Sequence, residues 1–190
     1  MRLAARVLPV LLLVAAGVPA AAGELAGVVM PDTIQVDGKT LVLNGMGLRE
    51  ATILKVDVYV AGLYLEAKSS DADAILRASQ VKRLVMTFVR AVGRKDLVKA
   101  WDESFRETAG AAFDSVRDRV ATLDSWMADV PKGTVLTFTS RPGEGVTVEI
   151  QDTAKGRIPG EDFSATLFGL WLGPSPPSAA IKSGLLGKRD

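Results

Sequence analysis

Few residues in this chain are equipped for chemistry. It contains no histidine and no cysteine. Zinc sites built on those ligands, histidine-held haem and Ser-His or Cys-His nucleophiles therefore have no residue to form them. Acid–base work falls to Asp, Glu, Lys or Tyr with a shifted pKa, which lowers the expectation of an enzyme. No cofactor and no metal are expected. Within what remains, Arg49 draws attention in "GMGLREATILKVDVYVAGLYLEA" (45–67), at the entrance of a long strand-like run and just after a glycine-rich turn. A guanidinium turned inward needs an anion or carbonyl to offset its desolvation. An acidic ligand would serve, and so would a buried carboxylate such as Asp57; a solvated arginine is the commoner case. Tyr59 either offers its phenol to a pocket or fills a sheet–helix interface with its hydroxyl reaching water. Trp101 and Trp171 lie on helical stripes, where an aromatic is usually core. Asp102, Glu103 and Glu107 are spaced for ion pairs with Lys99 and Arg106, so they read as a solvated face rather than a catalytic pair.

The elements that must position these residues follow from periodicity. "AGVVMPDTIQVDG" and "KTLVLNGMGLRE" predict two strands joined at Asp37-Gly38, a dipeptide suited to a tight hairpin turn. From Thr52 to Glu66, Leu54, Val56, Val58 and Val60 make one apolar face. The other face runs Lys55, Asp57, Tyr59, Ala61, Leu63, Leu65, from wet to dry, as expected of a strand sliding under a helical layer. A short helix over "SSDADAILRAS" is predicted with Ser70 and Asp73 as a capping box. A strand covers "VKRLVMTFVR". Two helices follow, the first with Leu97, Val98, Trp101 and Phe105 on one stripe, the second with Val116, Val120, Leu123, Met127 and Val130, packed as a hairpin on the sheet. "GTVLTFTSRPGEGVTVEIQDTAKGRI" predicts a three-stranded meander. "GEDFSATLFGLWLG" predicts a helix with Phe163, Leu167, Leu170 and Trp171 on one face, and "PSPPS" separates it from a last short helix. Strands with inserted helices and no βαβ alternation predict an α+β fold, a large antiparallel sheet covered on one face by helices.

The N-terminus reads as a targeting segment. Arg2 and Arg6 precede the apolar run "VLPVLLLVAAGV" and the small-residue site "PAAAG", which predicts a secretory signal peptide over residues 1–22 and one domain over 23–190; an uncleaved membrane anchor is the alternative. The apolar run is shorter than the ~20 residues of a spanning helix, and no later segment qualifies, so no membrane span is expected in the mature chain. Export, most simply to the periplasm, is the expected localisation. Losing Arg2 and Arg6 takes the formal charge from +1 to −1. Nothing in that balance, and no lysine or arginine run, argues for nucleic acid.

"GLREATILKVDVYVAGLYLE", then "LVMTFVRAVGRKDLVKAWDESF", then "KGRIPGEDFSATLFGLWLGPSPPSAAIKSGLLG" together resemble the bacterial branch of the chalcone isomerase-like proteins, over nearly the whole mature chain. The resemblance implies an open-faced sandwich with a ligand cleft between sheet and helices. In the plant enzymes the arginine of the corresponding turn holds the substrate anion, and Arg49 occupies its place. The other catalytic positions differ. The strand threonine falls at Tyr59, the helix tyrosine and asparagine at Leu97 and Ser104, and the threonine of the last long helix at Leu170, beside Trp171. A cleft that keeps its cation but exchanges polar groups for leucine is similar to the family's fatty-acid-binding members. The expected function is thus binding of a small apolar or amphipathic acid, with Arg49, Tyr59, Leu97, Trp101, Ser104, Leu170 and Trp171 at the site. Two rivals stand beside it: an isomerase of altered substrate range using Arg49 and Tyr59, and an envelope interaction protein whose cleft is filled by Trp101, Phe105 and Trp171.

Overall fold

The computed structural model describes residues 22–51 and 56–188. Most of the expected signal segment, with Leu54 and Lys55, lies outside those residues. A hairpin of β1 (Ala22–Leu25) and β2 (Val28–Pro31) leads into β3 (Thr33–Val36), β4 (Lys39–Ala51) and β5 (Val56–Leu65). After α1 (Ala72–Arg77) and β6 (Lys82–Phe88) come the paired helices α2 (Arg94–Ala109) and α3 (Phe113–Ser125). The meander β7 (Val135–Arg141), β8 (Gly145–Ile150) and β9 (Thr153–Ile158) follows, then α4 (Glu161–Leu172) and α5 (Ala179–Leu185). Strands β3 to β9 form one seven-stranded antiparallel sheet whose spatial order is the order of the sequence. This is the α+β architecture that the alternation predicts. No helix among the described residues is long and apolar enough to cross a membrane.

The main core lies between sheet and helices. β5 contributes Tyr59, Ala61, Leu63 and Leu65, β6 contributes Leu84, Met86 and Phe88, and Leu97, Trp101 and Phe105 come down from α2. The wet-to-dry face of β5 is borne out: Asp57 is half-buried, and burial is continuous from Tyr59 to Leu65. Val60 and Tyr64 point the other way, into a second apolar cluster with Met30, Val36, Leu41, Leu43 and Val81.

Several expectations need correction. The segment before Asp37 is not one strand. Ala26 and Gly27 both take positive φ, 48° and 74°, and fold back β1 on β2, which covers part of the sheet face away from the helices. The turn expected at Asp37-Gly38 is present, with φ of 51° and 77°. Helix α1 is capped by Asp71, whose carboxylate accepts from Ala74 N at 3.0 Å, and not by a Ser70–Asp73 box. The ammonium of the buried Lys82 closes its other end, donating to the carbonyls of Ile75 and Ala78 at 3.1 and 3.0 Å. Helix α3 stops at Ser125, although Met127 and Val130 remain buried beyond it and Val130 bridges Val92. Helix α4 buries more than one stripe: Ser164, Phe168, Gly169 and Leu172 are covered too, because helices pack around it and β8 lies beneath. Its one polar buried group is satisfied, Ser164 Oγ sharing a hydrogen bond with Ser140 Oγ at 2.5 Å.

Candidate functional site

The position of Arg49 depends on one extra residue. Along β4, Leu41 and Leu43 face away from the helices, so strict alternation would send Arg49 the same way. Between Leu43 and Gly45 the register with β5 shifts: Leu43 pairs with Tyr64, but Gly45 pairs with Leu63 and Arg49 with Tyr59. Asn44 is the bulge residue, and such an insertion exchanges the faces of everything after it. Arg49 therefore stands on the helix side, directly across the strand pair from Tyr59. The bulge is pinned. Asn44 Nδ2 donates to the carbonyls of Ser69 and Leu185 at 2.9 and 2.7 Å, and Asn44 Oδ1 accepts from Ser69 N at 2.8 Å.

The glycine-rich stretch before Arg49 is strand, not the expected turn. Its glycines answer a different need. Helix α5 lies so close that a Cβ on Gly45 would collide with the carbonyl oxygen of Gly184, and one on Gly47 with that of Ile181. A Cβ on Gly184 would in turn meet the carbonyl of Met46. Strand and helix thus meet largely backbone to backbone, with the Ile181 side chain also against Gly47.

Between β4–β6 below and α2 and α4 above lies a hollow of about 450 Å³, within the range of small-molecule sites. All seven expected site residues line it: Arg49, Tyr59, Leu97, Trp101, Ser104, Leu170 and Trp171. Its remaining apolar wall comes from Val58, Met86, Phe88 and Val92, and its mouth is bordered by the strap Ser175-Pro176-Pro177 between α4 and α5. Trp101 and Trp171 meet edge to face at 5.8 Å and form wall rather than filling; Phe105 lies beneath, stacked on Phe163 at 5.7 Å.

Arg49 is half-buried and donates through Nη1 to the carbonyl of Glu50. Among the described residues it takes part in no ion pair, so the Asp57 partner that the sequence left open is not made. Tyr59 is 9% exposed, and its oxygen accepts from Trp171 Nε1 at 3.0 Å. Burial pushes its hydroxyl up to about 12, against the smaller opposing pulls of the Trp171 hydrogen bond and the Arg49 charge. Tyr59 is therefore a neutral phenol at physiological pH. Its own proton has no acceptor among the described residues. Trp101 is 5% exposed, and its Nε1 likewise lacks an acceptor among the described residues.

The acidic face of α2 divides. Glu103 makes the expected pair with Lys99, at 3.8 Å, yet Glu103 and Glu107 also reach the cleft lining, with Asp96. Arg106 lies over the ring of Phe113 at 4.3 Å, engaged with an aromatic. One cation and three carboxylates thus border the same hollow. Asp102 is half-buried and faces Asp124, whose Oδ1 has no partner; burial first, and Asp102 second, push the Asp124 carboxyl up to about 6. The strap and the cleft-facing carboxylates are what the sequence reading missed. Helical spacing does place Glu103 and Glu107 one turn apart beside Ser104, the one signal that could have found them.

Comparison with known proteins agrees with this architecture. A family model described as chalcone isomerase-like matches residues 22–187. No curated protein matches the chain. Among solved structures, a fatty-acid binding protein of Arabidopsis thaliana is similar at a TM-score of 0.68 and 16% identity, over 87% of this chain and 96% of that one. At that identity the likeness speaks for the fold. The family match spans most of the chain, which belongs to the chalcone isomerase-like family.

Proposed function

We propose that this chalcone isomerase-like chain is an exported carrier, which leaves the cytoplasm on the signal of residues 1–22 and works in the periplasm as residues 23–190. In that reading it holds one apolar or amphipathic acid, fatty-acid-like, in the sheet–helix cleft. The observation that carries the reading is Arg49: a half-buried guanidinium without an ion-pair partner among the described residues, set beside an unused phenol proton in a hollow walled by Val58, Met86, Phe88, Leu97 and Leu170. A carboxylate accepting from both would make charge-assisted hydrogen bonds of about 1.5–3 kcal/mol each. Every methylene laid on the apolar wall adds about 0.8 kcal/mol. The fatty-acid binding protein that shares the fold supports the same class of guest.

Ring-closing chemistry in this cleft would need oriented polar groups worth several kcal/mol at a developing enolate. The positions that the family's enzymes fill with such groups hold Leu97, Ser104 and Leu170 here, and a phenol held near 12 is a reluctant acid at neutral pH. The test is to extract freshly purified protein with organic solvent and identify co-purified acids by mass spectrometry, with Arg49→Ala in parallel. Acids with an apolar chain are expected on the wild type and depleted at least tenfold on the variant. An empty wild type, equal loading of both, or turnover of a chalcone that Arg49→Ala abolishes would overturn the carrier reading.

A further inference from the structure

Besides the carboxylates of Asp96, Glu103 and Glu107, α2 brings two uncharged polar side chains to the hollow, Trp101 and Ser104, one turn apart. Trp101 Nε1 is buried, unreached by water and without an acceptor among the described residues, which is an uncommon state for a buried donor. Leaving such a group unpaired costs on the order of 1–3 kcal/mol. The rings around it do not supply an oxygen: Phe138 and Trp171 meet Trp101 edge to face at 5.7 and 5.8 Å. Ser104 lines the same hollow, is half-buried, and makes no side-chain hydrogen bond among the described residues. Positions three apart on a helix share a face, so one substituent on a bound chain can address both.

We propose that Trp101 and Ser104 form a second polar station, which selects an acid carrying an oxygen partway along its chain, an oxo or hydroxy acyl acid, over the unsubstituted acid. This rests on the carrier reading and gives it a substrate class. The carboxylate is held at Arg49 and Tyr59. Trp171 separates that head site from Trp101, with its Nε1 on Tyr59 and its ring against the Trp101 indole. The chain oxygen accepts from Trp101 Nε1 after a small turn of the indole that lines the cleft, and Ser104 Oγ, both donor and acceptor, completes the contact for a ketone or an alcohol alike. A plain methylene at that point leaves both donors unpaired.

The probes are straight-chain acids of one length: the parent acid and its congeners with an oxo group at successive carbons, titrated calorimetrically into the full mature protein. The wild type is expected to prefer one oxo position over the parent by about three- to tenfold, the range of a single neutral hydrogen bond. Trp101→Phe should abolish most of that preference, read as the ratio of congener to parent affinity within the variant, and Ser104→Ala should reduce it. Where Trp101→Phe impairs folding, benzothienylalanine at position 101 keeps the ring shape and replaces the N–H by sulfur. Arg49→Ala should weaken all the acids by a similar factor. Equal affinity for parent and congeners, with both lost in Arg49→Ala, overturns the polar station and leaves the carrier reading standing. A preference that survives the changes at both 101 and 104 also overturns it. Failure of every acid to bind overturns the two together.

Discussion

Replacing Tyr59 with phenylalanine removes one oxygen from the floor of the cleft and leaves the surrounding packing in place. In the wild type that oxygen accepts from Trp171 Nε1 at 3.0 Å, and Trp171 is 2% exposed. After the change the indole N–H of the 2% exposed Trp171 loses the acceptor that held it. The loss is then larger than that of a net hydrogen bond, because a buried donor is stranded: about 1–3 kcal/mol. Trp171→Phe strands nothing comparable, because the Tyr59 oxygen borders the hollow, but it shortens a core side chain and costs about 2–3 kcal/mol by lost packing. In the double variant the stranded donor no longer exists, so the two costs should fail to add by about 1 kcal/mol or more. Urea unfolding followed by far-ultraviolet circular dichroism, with matched slopes across the four proteins, measures this directly. Additivity within about 0.5 kcal/mol would refute the hydrogen bond as the organiser of the floor.

Three further outcomes follow from the geometry. The carboxyl of Asp124 is pushed up to about 6 from an ordinary 3.8. Below about pH 3 it is protonated folded or unfolded; as pH rises to 6 the unfolded chain releases its proton first, so this group lowers stability as pH rises, by about 1–2 kcal/mol after allowance for its half-buried state. Asp124→Asn should therefore raise the melting temperature at pH 7 and flatten its fall between pH 4 and 6; an unchanged melting profile would refute this. Glu107→Gln removes a carboxylate from the cleft border and is expected to tighten acid binding about two- to fivefold at low salt and less at high salt, read by calorimetry; equal affinity at low salt would count against an anionic guest. Deleting Asn44 should return Arg49 to the outer face of the sheet or unfold the chain, and a folded variant that still binds acid as tightly as the wild type would refute the role of the bulge.

Much of this was legible from periodicity. The face of β5 that passes from Asp57 to Leu65, the Leu97–Trp101–Phe105 stripe and the β7–β9 meander all lie where alternation put them, because each repeats one local rule over several residues. The seven expected site residues do converge on one hollow. The orientation of Arg49 was not legible. It turns on the Asn44 bulge, and what holds that bulge is the carbonyl of Leu185, distant in sequence. Gly45 and Gly47 look like turn residues for the same reason: what they make room for is a helix near the other end of the chain. The burial of α4 beyond a single stripe and the turn of Glu103 and Glu107 toward the cleft are also properties of packing, not of their own segments.

The contact of α5 with β4 has a consequence for redesign. Where Gly45, Gly47 and Gly184 bring two main chains together, a substitution on one partner meets backbone carbonyls of the other, which no trimming of side chains can move. That seam is a fixed hinge-plate of the molecule. The seam itself does not line the hollow, so a different guest can be fitted by changing residues that do, Leu97, Ala100 and Leu170 on the helix wall and Val58 and Met86 on the sheet wall, without disturbing the seam.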